Sequence, residues 1–163
     1  MIRFSHFHYT TMRISKMAFS ALFVVLGGLS LQAQDSKDAA LETIGAVSGA
    51  MLYNSYTTLG ILADAYAAEA YESDFSVQLI DEQIAIYSEL KSQFTKLLDS
   101  GFLTDPNDLE FTRDIAITLS LLIDEAEALK SYIESPDGEI EGDLFQERRQ
   151  AAWDKISYLL GIE

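Results

Sequence analysis

The 163-residue sequence predicts an all-α fold, an up-down-up-down four-helix bundle preceded by an N-terminal signal peptide. Three observations carry that prediction. Long stretches repeat apolar residues every three to four positions, no stretch alternates apolar and polar residues between hairpin turns, and the breaks are short. Short connections set neighbouring helices antiparallel.

The leader comes first. Arg3, Arg13 and Lys16 precede an apolar run from Met17 to Leu31, and Gln32-Ala33-Gln34-Asp35 follows it. A basic start, a short apolar middle and a small residue at the exit are the parts of a secretory signal peptide. The run has 15 residues and contains Gly27-Gly28. A bilayer span needs roughly 20, so cleavage after Ala33 is favoured over a retained N-terminal anchor. A start at Met12 would give a leader of ordinary proportions. The expectation is a leader over 1–33 and one acidic domain over 34–163, periplasmic or extracellular, with no integral span after processing.

Composition then excludes much chemistry. The chain has no cysteine, and its two histidines are His6 and His8. Residues 34–163 therefore lack the imidazole and thiolate that haem sites, di-iron bundles and nucleophilic triads use. All 26 acids lie beyond residue 33 against eight bases, a formal charge of −18. Nucleic acid and anionic membranes need a basic footprint, so neither is an expected partner. Without disulfides, stability rests on packing, and the 130 residues of 34–163 suffice for one core.

Segment one is predicted over about 36–72, capped by Asp35 or Ser36, with Leu41, Gly45, Ser48, Leu52, Tyr56, Leu59, Ala63, Tyr66 and Ala70 inward. Segment two, about 75–100, turns Val77, Ile80, Ile84, Tyr87, Leu90, Phe94 and Leu97 to one side and closes at Gly101. Segment three, 106–134, opens on Asp105-Pro106-Asn107-Asp108: a cap, a proline where its missing N–H does no harm, and an acid at the positive end of the dipole. Its stripe runs from Leu109 through Leu119, Leu122 and Leu129 to Ile133. Segment four, 144–160, is expected to be capped by Asp143 and to bury Leu144, Phe145, Ala152, Ile156, Leu159 and Leu160.

Segment one holds the anomaly. Thr43 to Ala63 passes 21 residues without one charge, although the outer face of a solvated helix should carry some. Opposite its inward stripe lie Val47, Ala50, Asn54, Thr57 and Ile61. Gly45, Gly49 and Gly60 each weaken the helix by roughly 1 kcal/mol relative to alanine, which suits a close approach by another group. The ordinary reading is that Phe94, Phe145 or Trp153 pack against these small residues. The functional reading makes Tyr53, Tyr56, Gly60, Ile61, Ala63, Tyr66, Ala67 and Tyr71 a binding surface. Its tyrosines would wall a shallow groove, floored by Gly60, Ala63 and Ala67, for a partner protein, a second copy or a small apolar ligand.

Two acidic clusters complete the reading. Asp137, Glu139, Glu141 and Asp143 alternate through a loop with Gly142 at its sixth position, part of the pattern of a calcium loop. Arg148 stands where such a loop ends in a bidentate glutamate, so the cation reading is secondary to that of an acidic turn capping a helix. No other cofactor is implied. Asp124-Glu125-Ala126-Glu127 reads as a solvated face, and Arg148, Arg149 and Lys155, interleaved with Glu147 and Asp154 on segment four, as members of ordinary intrahelical and interhelical ion pairs. A carboxylate hydrolase is the remaining alternative, with no pair of acids standing out for it. The sequence thus favours a non-enzymatic binding protein.

Overall fold

The computed structural model describes residues 33–135 and 139–162, so the leader and Asp137 lie outside the described residues. The chain divides into two units, Met1–Asp38 and Ala39–Glu163, and the packing described below is that of the second. Among the described residues the structure is all-helical and has no strand. It comprises α1 (Ala33–Ala67), α2 (Ser73–Asp99), α3 (Pro106–Glu134) and α4 (Glu139–Leu160), consistent with a four-helix bundle. No helix among these residues is long and apolar enough to cross a membrane.

Directions follow from which side chains meet. Along α1 and α4, Gly49 meets Leu160, Tyr56 meets Trp153 and Gly60 meets Arg149, so the two helices run oppositely. Tyr132 of α3 meets Gly142 of α4, and Glu125 meets Arg149, again in opposite order. Gly45 with Phe111 and Tyr66 with Tyr132 show α1 and α3 running the same way. Helix α2 joins α1 through Tyr87, whose hydroxyl donates to the Ser55 carbonyl at 3.3 Å, and joins α3 through Asp81 and Lys130 at 2.7 Å.

The core draws Leu52, Leu59 and Leu62 from α1, Ile80 and Tyr87 from α2, and Phe145, Ala152 and Ile156 from α4. Helix α3 contributes most, from Ile115 through Leu119, Leu122 and Leu129 to Ile133. Each of the leucines and isoleucines, and Phe145, is worth roughly 1.5–3 kcal/mol when fully buried. Asp105 caps α3 as its sequence requires, its Oδ1 accepting from the Asn107 N–H at 2.8 Å. Gly101 closes α2 and Gly161 follows α4, at φ +71° and +63°.

Three helix bounds depart from the sequence reading. Helix α1 begins by Ala33, so Asp35 and Ser36 are inside it and do not cap it. It ends at Ala67, short of Glu72, because Glu69 turns left-handed at φ 55°. The Glu69 N–H then reaches Tyr66 O and the Ala70 N–H reaches Ala65 O, a paired closure of the last carbonyls. Helix α4 begins at Glu139, five residues before Leu144, which places Asp143 within the helix and not at its cap.

Candidate functional site

Successive residues on a helix turn by about 100°, so Val47, Asn54 and Ile61 share one face of α1, with Ala50 and Thr57 beside them. That face points to solvent in the single chain: Val47 and Ile61 are each 61 % exposed, and Ala50, Asn54 and Thr57 are exposed as well. The hydroxyls of Thr57 and Thr58 donate to the carbonyls of Tyr53 and Asn54, at 2.9 and 2.8 Å. Those donors are satisfied within the helix, leaving less polarity for a covering surface to match.

Where α1 packs towards α4, it borders a buried ion pair between α3 and α4. Glu125 of α3, read from sequence as part of a solvated face, is completely buried, and its Oε1 lies 2.8 Å from Arg149 Nη1. Position 125 continues the spacing of Ile115, Thr118, Leu122 and Leu129, which sends it to the core whatever its polarity. Its second oxygen has no hydrogen-bond partner among the described residues. Burial pushes the Glu125 carboxyl up to about 7, against the opposing pull of the Arg149 charge and hydrogen bond.

Arg149 is held from three sides. Its guanidinium bonds Glu125, lies 4.1 Å from the centre of the Tyr56 ring and occupies the space that a side chain on Gly60 would need. Burial also raises the Tyr56 phenol, with Arg149 drawing it back. Trp153 tilts against Tyr56 with ring centres 5.2 Å apart and reaches Tyr53 at 6.4 Å. Helix α1 therefore uses glycine here for an arginine, at Gly49 for Leu160 and at Gly45 for Phe111, in place of the Phe94, Phe145 or Trp153 foreseen.

Beyond Arg149 opens a groove of about 450 Å³ between α1 and α4. Gly60, Ala63 and Ala67 line it, as do Asp64, Tyr132, Phe145 and Arg149. The eight candidate binding residues thus separate. Gly60, Ala63 and Ala67 reach the groove, while Tyr53 and Tyr56 lie on Trp153. Tyr66 crosses Tyr132 edge-on, its hydroxyl donating to Ile133 O at 3.4 Å, and Tyr71 crosses Phe75. Ile61 stands on the outer face. The tyrosines do not form one wall; Tyr132, which the sequence reading overlooked, lines the groove together with Phe145. Its apolar neighbours Leu129 and Ile133 hid it among core residues.

Of the four cation candidates, Asp137 and the Glu139 side chain lie outside the described residues. Glu141 and Asp143 are two residues apart on α4, about 200° around the axis, and so diverge. Among the described residues no group of three or more acids, histidines or cysteines is placed to hold a metal ion. No family model matches the chain, and neither a curated protein nor a solved structure is significantly similar to it.

Proposed function

We propose that this chain is an extracytoplasmic up-down-up-down bundle that acts by binding, without catalysis, and receives a partner protein on the outer face of α1. One observation carries the reading: Val47 and Ile61, both 61 % exposed, bracket a face without charge in a chain otherwise dense with acids. Residues 34–163 hold 34 charged side chains among 130, so a stretch of 21 would hold about five at that density; Thr43–Ala63 holds none. An uncharged, partly apolar strip flanked by aromatic Tyr53 suits an interface, whose core is depleted of charge.

Support for the non-enzymatic part comes from two sides. Residues 34–163 contain neither histidine nor cysteine. Glu125, the acid whose proton affinity is most suited to general catalysis, is fully buried and meets no solvent. The groove beside Arg149 has a volume within the range of small-ligand sites, about 300–1,000 Å³. Asp64, Asp143, Gln146 and Arg149 make its lining too polar for an apolar ligand, which favours the outer face over the groove.

A photoreactive side chain placed at Ile61 tests the reading in the producing cell. Adducts at Ile61 and Val47, and none at Ile86 (46 % exposed on α2), are the expected result. Equal labelling at all three positions would remove the case for a dedicated face.

A further inference from the structure

The groove between α1 and α4 has an ordered pattern of charge. Arg149 stands at one end of it, against the Tyr56 ring, and Tyr132 and Phe145 line it with Asp64 and Asp143. At 1.5 Å per residue, Asp64 lies about 6 Å along α1 from Gly60, and Asp143 about 9 Å along α4 from Arg149. Gly60 faces Arg149 and the helices are antiparallel, so both displacements run the same way. One positive group is therefore followed by two negative ones, beside two aromatic rings. Neither Asp64 nor Asp143 enters an ion pair among the described residues, and both are exposed. Both hydrogen bonds of Arg149 leave from Nη1, to Glu125 and to the Tyr56 carbonyl, so Nη2 and Nε keep their donors.

The support behind Arg149 points to a ligand more than to stability. Glu125 is fully buried and its Oε2 has no hydrogen-bond partner among the described residues, a half-satisfied arrangement that an apolar residue would avoid. Gly60 weakens its helix and leaves the guanidinium its space. Tyr132 is held as well, edge-on to Tyr66 and close to Gly142. Stability is given up here to fix a planar donor and a ring at a groove, as in a preorganised site.

We infer that this groove binds a free basic amino acid: an α-carboxylate, an α-amino group and a second amine at the end of an aliphatic stem. Arg149 takes the carboxylate through its remaining N–H groups, because the guanidinium fork suits that partner. The α-ammonium meets Asp64, the nearer acid, and the terminal cation meets Asp143, the farther one. The stem lies along Tyr132 and Phe145, as such stems do on apolar surface. Two cations and one anion thus answer two acids and one arginine. The formal charge of −18 over residues 34–163 also draws in a ligand of net positive charge. A simple anion would oppose that field and both acids, and an apolar molecule would strip water from all three groups without replacing it.

The test is an NMR titration of the purified protein, processed as the cell delivers it, with L-lysine. Salt at about 0.15 M screens loose attraction to the acidic surface. For a ligand of about ten non-hydrogen atoms, a dissociation constant of about 0.1–1 mM is expected, with saturable shifts at the amides of Gly60, Tyr132 and Gly142. Norleucine, which lacks only the terminal amine, and cadaverine, which lacks only the carboxylate, should each bind about five- to tenfold more weakly. Asp143→Asn, at an exposed position, should weaken lysine about fivefold and leave norleucine unchanged. Cadaverine equal to lysine would mean that the acidic surface only collects cations, and norleucine equal to lysine that the terminal amine has no partner; either overturns the proposal. So does the absence of groove shifts at about 10 mM lysine, ten times the weakest affinity expected. Neither result bears on the outer face of α1, which the Ile61 adduct tests separately.

Discussion

Gly60 and Arg149 are fitted to one another: a methyl group added to Gly60 would stand 2.5 Å from Arg149 Nη2. The glycine therefore belongs to the ion pair as much as Glu125 does, since it leaves the guanidinium room to lie on Tyr56. Alanine normally favours a helix over glycine by about 1 kcal/mol. Here Gly60→Ala should instead destabilise by about 1–3 kcal/mol, as expected for overpacking, because the displaced guanidinium loosens its hold on Glu125. With Arg149→Met already in place the sign should reverse. Chemical denaturation of the two single variants and the double variant measures this coupling, and additive effects would contradict it.

Arg149→Met alone leaves Glu125 buried without its cation. Breaking one side of a buried pair costs about 3–5 kcal/mol. Arg149 keeps a quarter of its side chain exposed, so the lower end of that range is expected. Adding Glu125→Leu should restore most of the loss, because an apolar side chain has no charge to desolvate. A double variant as unstable as the single one would mean that Arg149 contributes mainly by packing on Tyr56.

The pH dependence has a definite sign. Glu125 titrates near 7 when folded, against 4.5 for the unperturbed group, so the folded state holds its proton more tightly. Its contribution is fully present below about 4.5 and is lost as pH rises towards 7, where the unfolded state ionises first. Other acids also repel more as pH rises, so the informative quantity is the difference from Glu125→Gln. That variant should gain on the natural protein between pH 4.5 and 7 and run parallel to it outside that window. Parallel denaturation midpoints across the whole range would show that Glu125 has no raised affinity for its proton.

Why the sequence revealed the helices but hid this pair is a matter of which signal dominates locally. Leu52, Leu59, Ile80, Tyr87, Leu122 and Leu129 recur at helical spacing, and Asp105-Pro106 marks a start, so fold class and inward faces were legible. Glu125 stands among Asp124 and Glu127, where acidity overrides the stripe to which its position belongs. Arg149, its partner, lies 24 residues away on another helix. The glycines of α1 announced a close approach without saying by what. Gly60 accepts a cation, which no residue in segment one foretells. The ends of α1 and α4 were misjudged for a related reason, since the left-handed turn falls on Glu69 and helix continues back through Gly142.

Glu69 supplies the last prediction. It occupies the left-handed position that ends α1, at φ 55°, where glycine is the usual residue. A side chain there costs about 1–2 kcal/mol through the clash between Cβ and the following carbonyl. Glycine removes the clash but adds freedom to the unfolded chain, so Glu69→Gly should stabilise by a net amount of about 1 kcal/mol. For a domain of this size that raises Tm by about 3–5 °C. Glu69 is exposed, and losing its charge near the negative end of the helix would also help a little. Glu69→Ala separates the two effects, because it removes the charge and keeps the Cβ. A rise in Tm for glycine well above that for alanine assigns the gain to the backbone; equal rises would assign it to the charge.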